Sequence, residues 1–310
     1  MVLTLLLACV QAQVPRPGGD ALPGPRTVRG WSLRPAPALS GLCDASAAAR
    51  GADNTFLVGD DEESALYRFP AVGGSPTRLR LPMEGGELDV EGSATVPGGV
   101  WWVTSHDRGK GTTAAPSRRH LFRTSPDGVV QEDVTVLWTR LLAHPELGPL
   151  LRATEGQTSK AVGGFSIEAL HADGAHLWLG LRAPVVDGEA LLVRLRNPSD
   201  PEVDQLQRYD LGGRGWRALE PHRGVLYGVA GPPDDEGDFQ LVRIDLDAGT
   251  AEPVGLDFGT LRPEGLVSLP EGLLAISDDG KVEVDGTRCR KLPAAQRRAR
   301  AAFLIPDRPP

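Results

Sequence analysis

Ile167-Glu168-Ala169-Leu170-His171-Ala172-Asp173-Gly174-Ala175-His176-Leu177-Trp178-Leu179-Gly180-Leu181-Arg182 reads as two apolar strands joined by a tight turn. Asp173-Gly174 supplies the residues that tolerate the backbone of a hairpin turn. Similar wording recurs four more times. Leu42-Cys43-Asp44-Ala45-Ser46 leads to Phe56-Leu57-Val58-Gly59-Asp60-Asp61, and Val90-Glu91-Gly92-Ser93 leads to Trp101-Trp102-Val103-Thr104-Ser105-His106-Asp107. Leu219-Glu220-Pro221-His222 leads to Leu226-Tyr227-Gly228-Val229-Ala230, and Pro263-Glu264-Gly265-Leu266 to Leu274-Ala275-Ile276-Ser277-Asp278-Asp279. With Ser46 and the four glutamates as markers the spacings are 45, 77, 52 and 44 residues, the length of a propeller blade once one insertion is allowed. The expected fold is all-β: a β-propeller of about five four-stranded blades, with six left open.

Working outward, Pro97-Gly98-Gly99, Arg223-Gly224 and Glu271-Gly272 mark further hairpins. Third strands with period-two alternation follow at Leu66–Phe69, His120–Arg123, Leu191–Leu195 and Leu241–Ile244. A more polar fourth stretch such as Gln207–Leu211 suits an outer edge strand. The long second interval carries Leu137, Trp138, Leu141 and Leu142, then Leu147, Leu150 and Leu151 beyond Pro145. That pattern predicts two short helices over about 137–155, capping one face of the ring or packed on its side.

The apolar run at residues 3–10 is too short to span a bilayer and suits a signal-peptide core. The expected division is a leader over 1–12, a Pro/Gly-rich disordered spacer over 13–30 and one propeller domain over 31–306, secreted or periplasmic. A lipoprotein anchored through Cys9 is the alternative. Cys43 and Cys289 then remain, one near each end of the domain, either as a disulfide or as two buried thiols. A net charge of −8 argues against a nucleic-acid partner, which needs clustered Lys and Arg. The one basic cluster, Arg288, Arg290, Lys291, Arg297, Arg298 and Arg300, reads as a phosphate or lipid patch or as a solvated tail. No transmembrane segment is expected, and the domain is read as a monomer.

In a propeller the innermost strands line the central channel, so residues at their starts converge. Glu91, Glu168, Glu220 and Glu264 are therefore expected near one channel mouth. Asp60, Asp61, His106, Asp107, Arg182, Asp278 and Asp279, at the ends of second strands, are expected around its rim. Clustered carboxylates repel one another unless a cation or basic side chains compensate, and hard oxygen ligands suit Ca²⁺ or Mg²⁺. The four glutamates are candidate metal ligands, with pairing to arginines such as Arg182 and Arg217 as the alternative. Gly164-Phe165-Ser166-Ile167-Glu168 lacks the last glycine of a nucleophile elbow, and Gly109-Lys110-Gly111-Thr112-Thr113 lacks phosphate-loop spacing. His171 and His176 flank a turn and read first as hairpin residues.

Phe56-Leu57-Val58-Gly59-Asp60-Asp61-Glu62, Leu88-Asp89-Val90-Glu91-Gly92, Gly164-Phe165-Ser166-Ile167-Glu168, Leu191-Leu192-Val193-Arg194-Leu195-Arg196-Asn197-Pro198 and Gly213-Arg214-Gly215-Trp216-Arg217 occur in that order. This series resembles the bacterial family catalogued as domain of unknown function 3616, from about Trp31 to the last strand. The resemblance implies an exported propeller with no established activity. The Glu-Gly starts are more distantly similar to those of esterase-like phytases, gluconolactonase-type propellers and calcium-activated nucleotidases, in which axial acidic residues hold a divalent ion. Here Ser46 replaces the first-blade carboxylate, and Pro221 and Ala169 replace glycine. The first functional expectation is a small or polar ligand at the mouth, bound at Asp60, Asp61, Arg182, Asp278 and Asp279 with a structural Ca²⁺. The alternatives are a metal-dependent hydrolase of phosphoesters, esters or lactones with His106 or Asp107 as base, and a protein-interaction scaffold.

Overall fold

A computed structural model describes residues 30–306 apart from 72–73, 109–114, 162 and 235. The expected leader, Cys9, the Gly109–Thr113 loop and all but the last residue of the spacer lie outside the described residues.

Each hairpin read from the sequence is the inner pair of a four-stranded antiparallel sheet, and five such sheets stand around one axis. From the axis outward, the first blade is Ala45–Arg50, Thr55–Asp60, Ala65–Pro70 and Thr77–Arg80; the second is Val90–Val96, Gly99–Thr104, Leu121–Thr124 and Val130–Val134. The third is Ser166–Asp173, His176–Ala183, Glu189–Arg196 and Glu202–Asp210, and the fourth is Gly215–His222, Val225–Gly231, Gln240–Asp245 and Thr250–Pro253.

The fifth blade departs from the expected unit. Its first two strands, Pro263–Leu269 and Gly272–Ser277, are followed by a strap, residues 278–300, before the third strand Ala301–Pro306. Its outer strand is Trp31–Pro35, paired antiparallel with Ala301–Pro306, so the two ends of the domain close the ring within one sheet. A polar stretch at the end of the repeat could not have supplied this strand.

Apolar faces of neighbouring blades pack together, which suits strands buried on both faces. Between the third and fourth blades, Ala169, Trp178, Leu192, Tyr209, Trp216 and Val242 form one cluster with Trp216 at 0% exposure. Gly180 is required there, because a Cβ on it would lie 2.8 Å from Trp216 Cβ and 2.7 Å from Ala169 Cβ. The helices span Leu137–Ala143 and Leu147–Ala153, separated near Pro145. Their Leu137, Leu141, Leu147 and Leu151 join Trp101, Leu121, Phe165, Leu179 and Leu191, so the pair packs on the side of the second and third blades.

Candidate functional site

The five inner strands share one irregularity. Each inner strand leaves one residue out of its pairing, Ser46, Glu91, Glu168, Arg217 and Glu264, and in the third blade the partner strand also skips Arg182. A β-bulge adds one residue and re-aims its side chain. Four of the five are near-fully buried polar side chains that meet at the axis: Glu168 accepts from Arg217, whose Nη1 also lies 3.1 Å from Glu264, and Glu91 and Glu264 line the same cavity as Glu168. Ser46 turns to backbone instead, its hydroxyl donating to the Val90 carbonyl. Ala48, Leu170, Leu219 and Leu266 line a second, much smaller cavity of about 10 Å³ that Glu91, Glu168 and Glu264 also border.

The bulges correct the repeat alignment in the fourth blade, where the axial residue is Arg217. Glu220 lies three residues further along the strand and accepts the Ser268 backbone N–H at 2.8 Å. Burial pushes its carboxyl up to about 8. The folded turns are Pro97-Gly98, Gly174-Ala175, Arg223-Gly224 and Pro270-Glu271, one residue away from the expected Asp173-Gly174 and Glu271-Gly272 in two cases. Counting seven residues back from the second residue of each reaches Glu91, Glu168, Arg217 and Glu264.

Above the axial set opens a cavity of about 390 Å³ lined by nine carboxylates and five basic side chains. Asp61, Asp107, Arg182 and Asp278 of the expected rim line it. Asp60 does not: its Oδ1 accepts the backbone N–H groups of Glu62 and Glu63 and shapes a turn. Asp279 is likewise structural, bound by Arg300 and by the Ser277 hydroxyl. His106 sits in a separate small recess under the helices with Trp138 and Phe165. Its Nδ1 donates to the Thr104 carbonyl at 2.9 Å, and burial pushes its imidazole down to about 4.

Glu62, Glu87, Asp89, Lys160 and Lys281 also line the cavity without being candidate site residues in the sequence, as does Arg290 of the expected basic patch. They lie outside the blade strands, where blade periodicity carries no signal. The expected basic patch dissolves into this framework: Arg290 binds Asp44 and Glu62, Arg297 binds Glu63 and Arg300 binds Asp279. Cys43 and Cys289 form a disulfide that ties the strap to the first blade. Next to it, Cys43 O accepts from Asp279 N, and Asp44 O accepts from Asp61 N.

Compensation around the cavity is uneven. Arg118 serves Glu87, Asp89 at 2.5 Å and Asp107 at 2.7 Å. Against the effect of burial, Arg182 and Arg217 hold Glu168 below its usual range. Glu91 is 8% exposed and has no hydrogen-bond or ion-pair partner among the described residues. Burial, then repulsion from Glu168, Asp89, Asp61 and Glu264, pushes its carboxyl well above the usual range. Asp61 is raised by burial and by Asp278, Asp89, Asp44 and Asp60, and its buried Oδ1 also has no hydrogen-bond partner among the described residues. One carboxylate oxygen each from Asp61, Asp89 and Glu91 lies within 4.8 Å of the others. Asp89 and His106 hold positive φ, 59° and 56°, a conformation costly for side chains with a Cβ.

Residues 124–254 match the family described as "Protein of unknown function (DUF3616)". The match runs from the end of the second blade's third strand through the helices and the third and fourth blades, a narrower span than the motif series suggested. No curated protein matches the sequence. Among solved structures, Myxococcus xanthus glutaminyl cyclase superposes with a TM-score of 0.50 at 13% identity, covering 89% of this chain and 97% of that one. The PQQ-bound aldose sugar dehydrogenase of Streptomyces coelicolor gives 0.47 at 13% identity over 89% and 99%. Likeness at this identity is likeness of fold, and fold does not fix function.

Proposed function

We propose that this protein is an exported propeller that binds a divalent cation, Ca²⁺ by its ligand chemistry, between Asp61, Asp89 and Glu91, and a small polar ligand beside it in the mouth. The observation that carries the reading is the unpartnered, buried Glu91 carboxylate within 4.8 Å of two other carboxylate oxygens. Ca²⁺–oxygen distances are about 2.3–2.6 Å, so oxygens on opposite sides of one ion stand about 4.6–5.2 Å apart. The observed spread fits around a single ion, with the cavity open for further oxygen ligands. Glu168 and Glu264 belong to Arg217 in this reading, and Glu220 is scaffold.

Binding is favoured over hydrolysis because His106 lies outside the cavity and Asp107 is held by Arg118. The scaffold reading lacks an apolar docking patch: the large exposed hydrophobics among the described residues are Val129, Val136 and Val284, on separate elements. No helix among the described residues is long and apolar enough to cross a membrane. The disulfide suits an oxidising compartment.

Thermal unfolding in Ca²⁺ and in chelator tests the reading, since a ligand that binds only the folded state raises the midpoint. Wild type is expected to gain several degrees in Ca²⁺. Glu91→Gln should lose the gain and should be at least as stable as wild type in chelator, because the substitution removes an uncompensated buried charge. Equal midpoints for wild type with and without Ca²⁺ would sink the proposal.

A further inference from the structure

Arg217 stands where the bulge of the fourth blade points a side chain to the axis, and the corresponding residues of three other blades are glutamates. It is 1% exposed, and its Nη1 meets both Glu168 and Glu264. Phe239 flanks the guanidinium at 5.5 Å, and Nη2 and Nε have no hydrogen-bond partner among the described residues. The group is thus held mainly as a charge between two carboxylates, through one of its three nitrogens. A buried charge of this kind is stable only when neutralised; without Arg217, Glu168 would keep Arg182 at 2.8 Å while Glu264 would lose its ion pair.

We infer that Arg217 is a built-in counter-cation that occupies the axis in place of a metal ion, and so confines external cations to the site that Glu91 shares with Asp61 and Asp89. The inference rests on the proposed cation site for its second half only. Three axial glutamates around an empty centre would form an oxygen-rich cation site. Arg217 pairs with two of them and not with Glu91, one of whose carboxylate oxygens lies within 4.8 Å of oxygens of Asp61 and Asp89. It therefore acts as a positioning and specificity-determining residue, deciding how many cations the mouth takes and where.

The experiment is the number of Ca²⁺ ions bound per chain, by equilibrium dialysis and titration calorimetry of the full folded domain. Wild type is expected to bind one. Arg217→Ala should bind one more than wild type, and its unfolding midpoint should fall in chelator and recover in Ca²⁺. Arg217→Lys, which keeps a single positive charge, should match the wild-type count. An Arg217→Ala protein that binds the same number as wild type overturns the inference, whatever the wild-type number is. Wild type at zero with Arg217→Ala at one would instead sink the Asp61–Asp89–Glu91 site and leave the inference about Arg217 standing. If Arg217→Ala does not fold even in Ca²⁺, the double variant Arg217→Ala/Glu168→Gln decides. Removing both charges should restore folding in chelator, and failure to fold would show that Arg217 acts through packing, overturning the inference.

Discussion

Glu220 shows most cleanly how burial alone sets the behaviour of a side chain. It has no basic partner among the described residues, and its carboxyl is pushed to about 8 from an ordinary 4.5 by burial, opposed by the Ser268 N–H. A folded-state value above the unfolded one means the group favours folding fully below about pH 4.5. That contribution is lost as pH rises toward 8, when a buried carboxylate must ionise. Glu220→Gln keeps an acceptor for Ser268 and cannot ionise. Its stability in urea should equal that of wild type near pH 4 and exceed it by a few kcal/mol at pH 9. Glu91, Asp89 and Glu264 titrate in both proteins, so the difference between them isolates Glu220. A constant difference from pH 4 to pH 9 would refute the account.

At the scale of strands and turns, the five-fold repeat was legible because buried hairpins must be apolar and their turns need special residues. Arg223-Gly224 holds φ of 51° and 78°, the paired positive values of a primed turn. Bulges were not legible as such: a one-residue slip changes which side chain faces the axis without changing composition. Leu219-Glu220 therefore mimicked Ile167-Glu168 while Arg217 held the axial place. Asp89, Lys160 and Lys281 lie outside the repeated wording, so nothing in the pattern pointed to them. Helix periodicity marked the insertion because Leu137, Leu141, Leu147 and Leu151 had to share one buried face. The close approach of blades at Gly180 makes a separate prediction. Gly180→Ala would press a methyl group against Trp216 and Ala169, and overpacking of this kind costs about 1–3 kcal/mol. Denaturant unfolding should show a lower midpoint for the variant with an unchanged slope, and an unchanged midpoint would mean that the blades have room to separate.

For the whole molecule, ring closure depends on two devices that act on the same blade. Trp31–Pro35 covers the edge of Ala301–Pro306, with Trp31 packed edge-on against Tyr227 at 5.1 Å, and the disulfide joins residues 246 apart. In the chain-entropy model a cross-link of that span stabilises the fold by on the order of 5 kcal/mol. Replacing both cysteines by alanine should lower the unfolding midpoint by roughly 10 °C without inducing association, because it uncovers no further strand edge. A chain beginning at Ala36 should fail differently. It keeps the disulfide but exposes the unpaired edge of Ala301-Ala302-Phe303-Leu304-Ile305-Pro306, an apolar strand open to pairing with other chains. Size-exclusion chromatography should therefore show concentration-dependent association for the truncated chain and not for the cysteine variant. Because both devices hold the fifth blade closed, their effects on stability should not add: with the ring already open, the second change should cost less than it does alone. A truncated chain that stays monomeric, or effects that add within error, would show that the outer strand and the disulfide stabilise the ring independently.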